Sequence, residues 1–190
     1  MQPLRRIALL LIACLEFGAI STAAFAQEPP KIQAGGGYLY IVDPAAAFNR
    51  PVYPEFGPGW FGKVTGNVTP HVGAVGEITG SYHDADGHRN VRGSARIHSV
   101  LGGVRLRPFC CVIVVPFAHL LAGMMFSRFR GDPPHFSGSD VNERPFALAI
   151  GGGVDVRAFH VATDLVRLRH HENYSAWTWR IAAGVMLPGK

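Results

Sequence analysis

Cysteine is nearly absent from this 190-residue chain, and the three it has cannot build a scaffold. Cys14 lies in the N-terminal stretch, while Cys110 and Cys111 are neighbours whose direct bridging would demand a strained peptide geometry. A disulfide framework is therefore excluded, and Arg107-Pro108-Phe109 beside the pair supply no further metal ligand. Charge is also sparse: 16% of residues are charged, with a net charge of +5 counting histidines as neutral. The arginines are scattered rather than massed in one block, which argues against nucleic acid as a partner. Beyond the N-terminus no apolar run approaches the roughly 20 residues of a membrane-spanning helix, and helical periodicity is scarce.

What is present begins with an export signature. Arg5 and Arg6 form a basic region, Ile7 to Leu15 an apolar one, and Ala24-Phe25-Ala26 a small-x-small cleavage site before Gln27. Residues 1–26 are thus expected to be a cleaved signal peptide and residues 27–190 a single exported domain. Leu11-Ile12-Ala13-Cys14 also resembles a bacterial lipobox, which would lipidate Cys14, but apolar residues continue past that cysteine.

The exported part is dominated by glycine- and aromatic-rich segments of about ten residues, the strand length of a transmembrane barrel. They are Gly35–Val42, Gly59–Thr69, His71–His83, Ser94–Leu106, Val112–Arg128, Pro145–Ala158, Val161–Arg169 and Tyr174–Leu187. Long connections at Asp43–Pro58, Asp84–Gly93 and Gly131–Glu143 alternate with short turns at Pro70, Pro108–Cys110 and Phe159–His160. An even number of strands with long loops on one rim and short turns on the other predicts an all-β, eight-stranded antiparallel up-and-down transmembrane β-barrel.

Side-chain alternation tests that expectation, because successive residues of a strand face opposite ways. Phe146, Leu148, Ile150, Val154 and Val156 share one face, opposite Ala147, Ala149, Gly151, Gly153, Asp155 and Arg157. Trp177, Trp179, Ile181, Val185 and Leu187 likewise oppose Thr178, Arg180 and Gly184, and Trp60 and Val64 oppose Lys63 and Thr65. Ser94–Leu106 and Val161–Arg169 lose phase midway, which points to a bulge or to a register that alternation does not reveal. Isolated charges in an apolar cavity would each cost several kcal/mol, so the charged face suits a polar lumen and the apolar face suits lipid. Lys63, Glu77, His119, Asp155, Arg157 and Arg180 are the candidate lumen network, a structural one. Trp60, Phe146, Trp177 and Trp179, near the long-loop ends of their strands, are the candidate aromatics of the lipid interface.

Several stretches resemble the small OmpA-like outer-membrane β-barrel family: Gly59-Trp60 with Gly66-Asn67-Val68, His98-Ser99-Val100-Leu101-Gly102-Gly103, Pro116-Phe117-Ala118-His119, and Phe146 through Val156. The resemblance runs from about Ile32 to Leu187. It implies an eight-stranded barrel in the bacterial outer membrane, usually without enzymatic activity, with lipid, lipopolysaccharide and the barrel assembly machinery as partners. One departure is the ending, Met186-Leu187-Pro188-Gly189-Lys190, where such barrels commonly finish on an aromatic residue.

Nine histidines raise the question of catalysis. His170-His171 with Glu172 and Ser175 could mimic a lipid A deacylase, provided that His171 and Ser175 meet at the rim. His83 and His88 with Asp84 and Asp86 could hold a metal, but their spacing matches no specific site. His98 and His119 are expected on interior faces of neighbouring strands, hydrogen bonding within the lumen. The expectation is a monomeric, non-enzymatic outer-membrane barrel with a structural, adhesive or surface-interaction role, no open wide pore, no cofactor and no metal. Its rivals are a soluble periplasmic barrel binding a small apolar ligand and the deacylase.

Overall fold

The computed structural model describes residues 30–42, 59–86, 92–108, 113–132, 141–169 and 175–189. They form strands β1 (Ile32–Ile41), β2 (Gly59–Asn67), β3 (Val72–Asp86), β4 (Arg92–Leu106), β5 (Val114–Asp132), β6 (Val141–Glu143), β7 (Phe146–Val156), β8 (Phe159–Arg169) and β9 (Ser175–Pro188). All pairings are antiparallel and, apart from β6 and β7, which both pair with β5, join sequence neighbours; β1 pairs with β9, so the sheet closes on itself. Closure leaves no unpaired edge, which a structure facing lipid requires. β6 and β7 are two pieces of one wall strand. Both pair with β5 in one continuous register, from Phe129↔Val141 to Val114↔Val156, and only Arg144-Pro145 separates them. Pro145 has no N–H to donate, but its carbonyl still accepts from the Met125 amide at 3.0 Å. The wall therefore counts eight strands.

The ring is staggered. A path along partnered residues runs from Ile32 through Gly66, Ala74, Val104, Leu120, Ile150, Leu165 and Trp179. It returns to β1 at Val42, whose amide bonds the Trp179 carbonyl at 2.9 Å. The climb from Ile32 to Val42 is ten residues, which for eight strands corresponds to a tilt of about 40°. Along the barrel axis that climb is about 25 Å, the height of the apolar band on outer-membrane barrels. Every residue on this path is apolar or glycine.

The faces sort as alternation demands. Phe146, Leu148, Ile150 and Val154 point outward and are 37–58% exposed, whereas Ala147 and Ala149 beside them are fully buried. Trp177, Trp179 and Ile181 point outward opposite Ala176, Thr178 and Arg180. A soluble barrel with its greasy face turned inward is thereby contradicted. The seam between β1 and β9 depends on glycine. A Cβ on Gly37 would lie 2.3 Å from the Ala183 carbonyl, and one on Gly184 would lie 2.3 Å from that of Gly36.

Three expectations need correction. β4 and β8 contain no bulge; both hold one register along their whole length. Their pattern blurs because the lumen itself accepts Ile97, Leu101, Val166 and Leu168, while Arg96, His98 and Arg167 look outward. Phe159 and His160 belong to β8 rather than to a turn, which falls on Arg157-Ala158 instead. The connection expected at Asp84–Gly93 shrinks, since β3 continues to Asp86 and β4 starts at Arg92. The long connection at Asp43–Pro58, the Cys110–Cys111 pair, His88 and His170 to Glu172 lie outside the described residues, as does the signal segment.

Candidate functional site

The barrel interior holds the chemistry. Phe61, Lys63 and Thr65 alternate inward from β2; Val75, Glu77, Thr79 and Ser81 do so from β3; and Phe117 and His119 do so from β5. Polar side chains that leave water need partners, and here they find each other across the lumen. Lys63 Nζ lies 3.0 Å from Glu77 Oε2, directly across the β2–β3 pair. The second Glu77 oxygen, Oε1, accepts from Arg180 Nη2 at 3.0 Å, and Arg180 also reaches Asp164 Oδ2 at 2.7 Å. Asp164 Oδ1 bonds His119 Nε2 at 2.5 Å.

On the other side of Lys63 the chain continues. Its ammonium donates to His160 Nε2 at 3.3 Å, His160 Nδ1 lies 2.7 Å from Asp155 Oδ1, and Arg105 binds the other Asp155 oxygen. The result is one connected line, Arg105–Asp155–His160–Lys63–Glu77–Arg180–Asp164–His119. It draws side chains from every wall strand except the glycine-rich β1. Three cations balance three carboxylates. His160 accepts from an ammonium on one nitrogen and donates to a carboxylate from the other, which suits the neutral ring with its proton on Nδ1. Phe117 packs into the line: its ring stacks on His160 at 5.2 Å and 9°, and the Arg105 guanidinium sits 3.9 Å from its centroid. Gly151 makes room for the carboxylate of Asp164, which a Cβ there would approach to 2.1 Å.

Of the six residues expected in the lumen, the interior brings together Lys63, Glu77, His119, Asp155 and Arg180. Arg157 is the exception. It is exposed in the β7–β8 turn with φ 55°, past the end of the strand whose alternation would have turned it inward. His98 is also misplaced by the sequence pattern. It lies on the outer face, edge-on to Tyr82 at 5.3 Å, not beside His119. Sequence reasoning missed Arg105, His160 and Asp164. The first and last stand on the two strands whose phase looked broken, and His160 was assigned to a turn. Counting by twos back from His119's partner Arg105, or on from His160 to Asp164, recovers all three once the register is known.

Trp60, Phe146, Trp177 and Trp179 all lie on the outer face, 40–51% exposed. Among the described residues, His119 and His160 hydrogen-bond only Asp164, Asp155 and Lys63, so neither addresses a serine or threonine hydroxyl. Ser175 opens β9 on the exposed side. Among the described residues no three His, Cys, Asp or Glu side chains are placed to hold a metal ion.

Comparison with solved structures gives the fold its class. Ail, the attachment invasion locus protein of Yersinia pestis, superimposes with a TM-score of 0.54 at 14% identity, covering 82% of this chain and 96% of Ail, in a complex with the heparin analogue sucrose octasulfate. The fold is that of a small outer-membrane β-barrel. Ail in a phospholipid bilayer nanodisc matches at 0.51 and 15% identity over 84% of this chain and 100% of that one. The N-terminal β-barrel domain of Pseudomonas aeruginosa OprF matches at 0.50 and 11% identity, over 83% and 98%. No protein-family model matches the sequence. No curated protein sequence matches it either.

Proposed function

We propose that this protein is a non-enzymatic barrel of the bacterial outer membrane, with a structural or surface-interaction role and no wide pore. One observation carries the reading: outward apolar rows on a closed wall, spanning about 25 Å along the axis between Ile32 and Val42, surround an interior whose charges are paired with each other. An eight-stranded barrel is just wide enough for side chains to fill it. The ionic line and Phe117 occupy that space, so the wall acts as a rigid mount for its connections rather than as a channel. Ail, similar in fold, has been solved with a sulfated sugar analogue and in a bilayer, which supports surface interaction from a lipid-embedded wall. Export by residues 1–26, insertion by the assembly machinery and a monomeric state belong to the same proposal. Fractionation tests it. The protein is expected in detergent-extractable membranes, with gel mobility that changes on boiling. Solubility without detergent and one mobility, boiled or unboiled, would overturn the reading.

A further inference from the structure

Charge on the outer face is distributed with a strict bias. Glu77, Asp155 and Asp164 point inward, and among the described side chains no carboxylate stands on the outward rows of the wall. On those outward rows the cations are all arginines, and all sit on the half of the wall next to the long connections; Lys31 and Arg157 are exposed at the opposite rim, beyond the strand ends. Arg96 on β4, Arg144 between β6 and β7, and Arg167 with Arg169 on β8 are exposed and occupy adjacent wall strands, as is Arg128, the partner of Arg96 across β4–β5.

Their height is set by the stagger. Ten residues shared among eight strands raise each successive partner by about 1.25 residues along the barrel axis. With that offset, Arg96, Arg128, Arg144 and Arg169 fall within about 4 Å of one level. The outward rings of Tyr82, Phe126, Phe146 and Trp177 form a girdle immediately below them. Two contacts bind the layers together: the Arg144 guanidinium lies 6.0 Å from the Phe126 centroid, and that of Arg167 lies 5.7 Å from Trp177. Arginine resting on aromatic faces keeps donors open for a bidentate partner.

We infer that this arc is a binding site for phosphorylated lipid headgroups of the outer leaflet, the phosphoglycolipid class to which lipid A belongs. The inference rests on the membrane reading above. A headgroup is favoured over a soluble polyanion because the arginines stand on the wall at the aromatic girdle, not on the connections beyond it. A phosphate held there leaves its acyl chains lying along Phe146, Leu148 and Trp177, which are 47%, 39% and 51% exposed. A polysaccharide would gain nothing from those neighbours.

Native mass spectrometry of the folded full chain in detergent tests the site. The probes are lipid A, its dephosphorylated form, and sucrose octasulfate. Binding of lipid A at least tenfold tighter than of the dephosphorylated form is expected. The combination R96Q/R144Q/R169Q should abolish that preference, R96K/R144K/R169K should restore most of it, and Arg157→Gln, in the opposite turn, should leave it intact. Heat-dependent gel mobility reports folding for each variant, and the pair R144Q/R169Q, with an expected loss of about fivefold, stands in if the triple variant does not fold. Equal binding of both lipids, or an unchanged preference in a folded triple variant, would overturn the inference. So would loss of octasulfate binding alone in that variant, which would assign the arc to soluble polyanions. A barrel that never leaves the soluble fraction would instead overturn the membrane reading itself.

Discussion

The interior has two halves that solve the same packing problem differently. Toward the short turns and the middle, Lys63, Arg105, His160 and Asp155 fill space with one end of the hydrogen-bonded ionic line. Toward the long connections, Leu39, Ile97, Leu121, Met125, Val166 and Leu168, each 3% exposed or less, fill it with apolar side chains, and the polar groups among them are the small uncharged hydroxyls of Ser81, Ser99, Ser127 and Thr178. The outer wall hardly registers this change, being apolar across both halves up to the arginine level. The difference is one of tolerance. A buried ion line loses an uncompensated charge's worth of stability when one member goes, whereas an apolar layer loses contact area in proportion to what is removed.

Substitutions should separate the halves. The largest effect is expected at Glu77→Gln, because this one carboxylate holds both Lys63 and Arg180. A loss of about 3–5 kcal/mol should appear in urea titrations of the barrel folded in bilayers, followed by gel mobility. If Lys63→Met is then added, most of that loss should be regained; a merely additive double variant would show that the line is not a unit.

Next comes Leu121→Ala in the apolar half, where a fully buried side chain is truncated. About 2–4 kcal/mol is expected by the same titration, without recovery from any second change in the ionic half. Gly151→Ala should cost about 1–3 kcal/mol by the same titration, since the added methyl would lie 2.1 Å from the Asp164 carboxylate and 2.3 Å from the Thr163 carbonyl, so the β7–β8 backbone itself must shift. The smallest effect belongs to Arg157→Gln. Two residues beyond Asp155 in sequence but exposed in the turn, Arg157 should leave the titration midpoint within error. A large shift there would place it in the line after all.

The strand pattern was legible wherever inside and outside differ in kind. On β7 and β9 large apolar residues alternate with alanine, threonine or a charge, and both faces could be assigned from residue type alone. On β4 and β8 the signal fails for a physical reason. The upper lumen accepts large apolar side chains such as Ile97 and Leu168 among the buried hydroxyls of Ser81, Ser99, Ser127 and Thr178, and the outer face turns basic at the girdle, so residue type stops marking the two faces partway along one strand. Arg105 and Asp164 were missed for that reason. Arg157 was wrongly included because alternation has no knowledge of where a strand stops, and its φ of 55° marks the stop.

By itself, then, the sequence determined the period, the number of wall strands and the side of β7 that faces lipid, because each is written within a few consecutive residues. Which charges meet was decided only by closure. His160 touches Lys63 across 97 residues, and Arg105 reaches Asp155 across 50. Those meetings depend on the ten-residue stagger with which β1 joins β9, a property of the whole ring that no single strand contains.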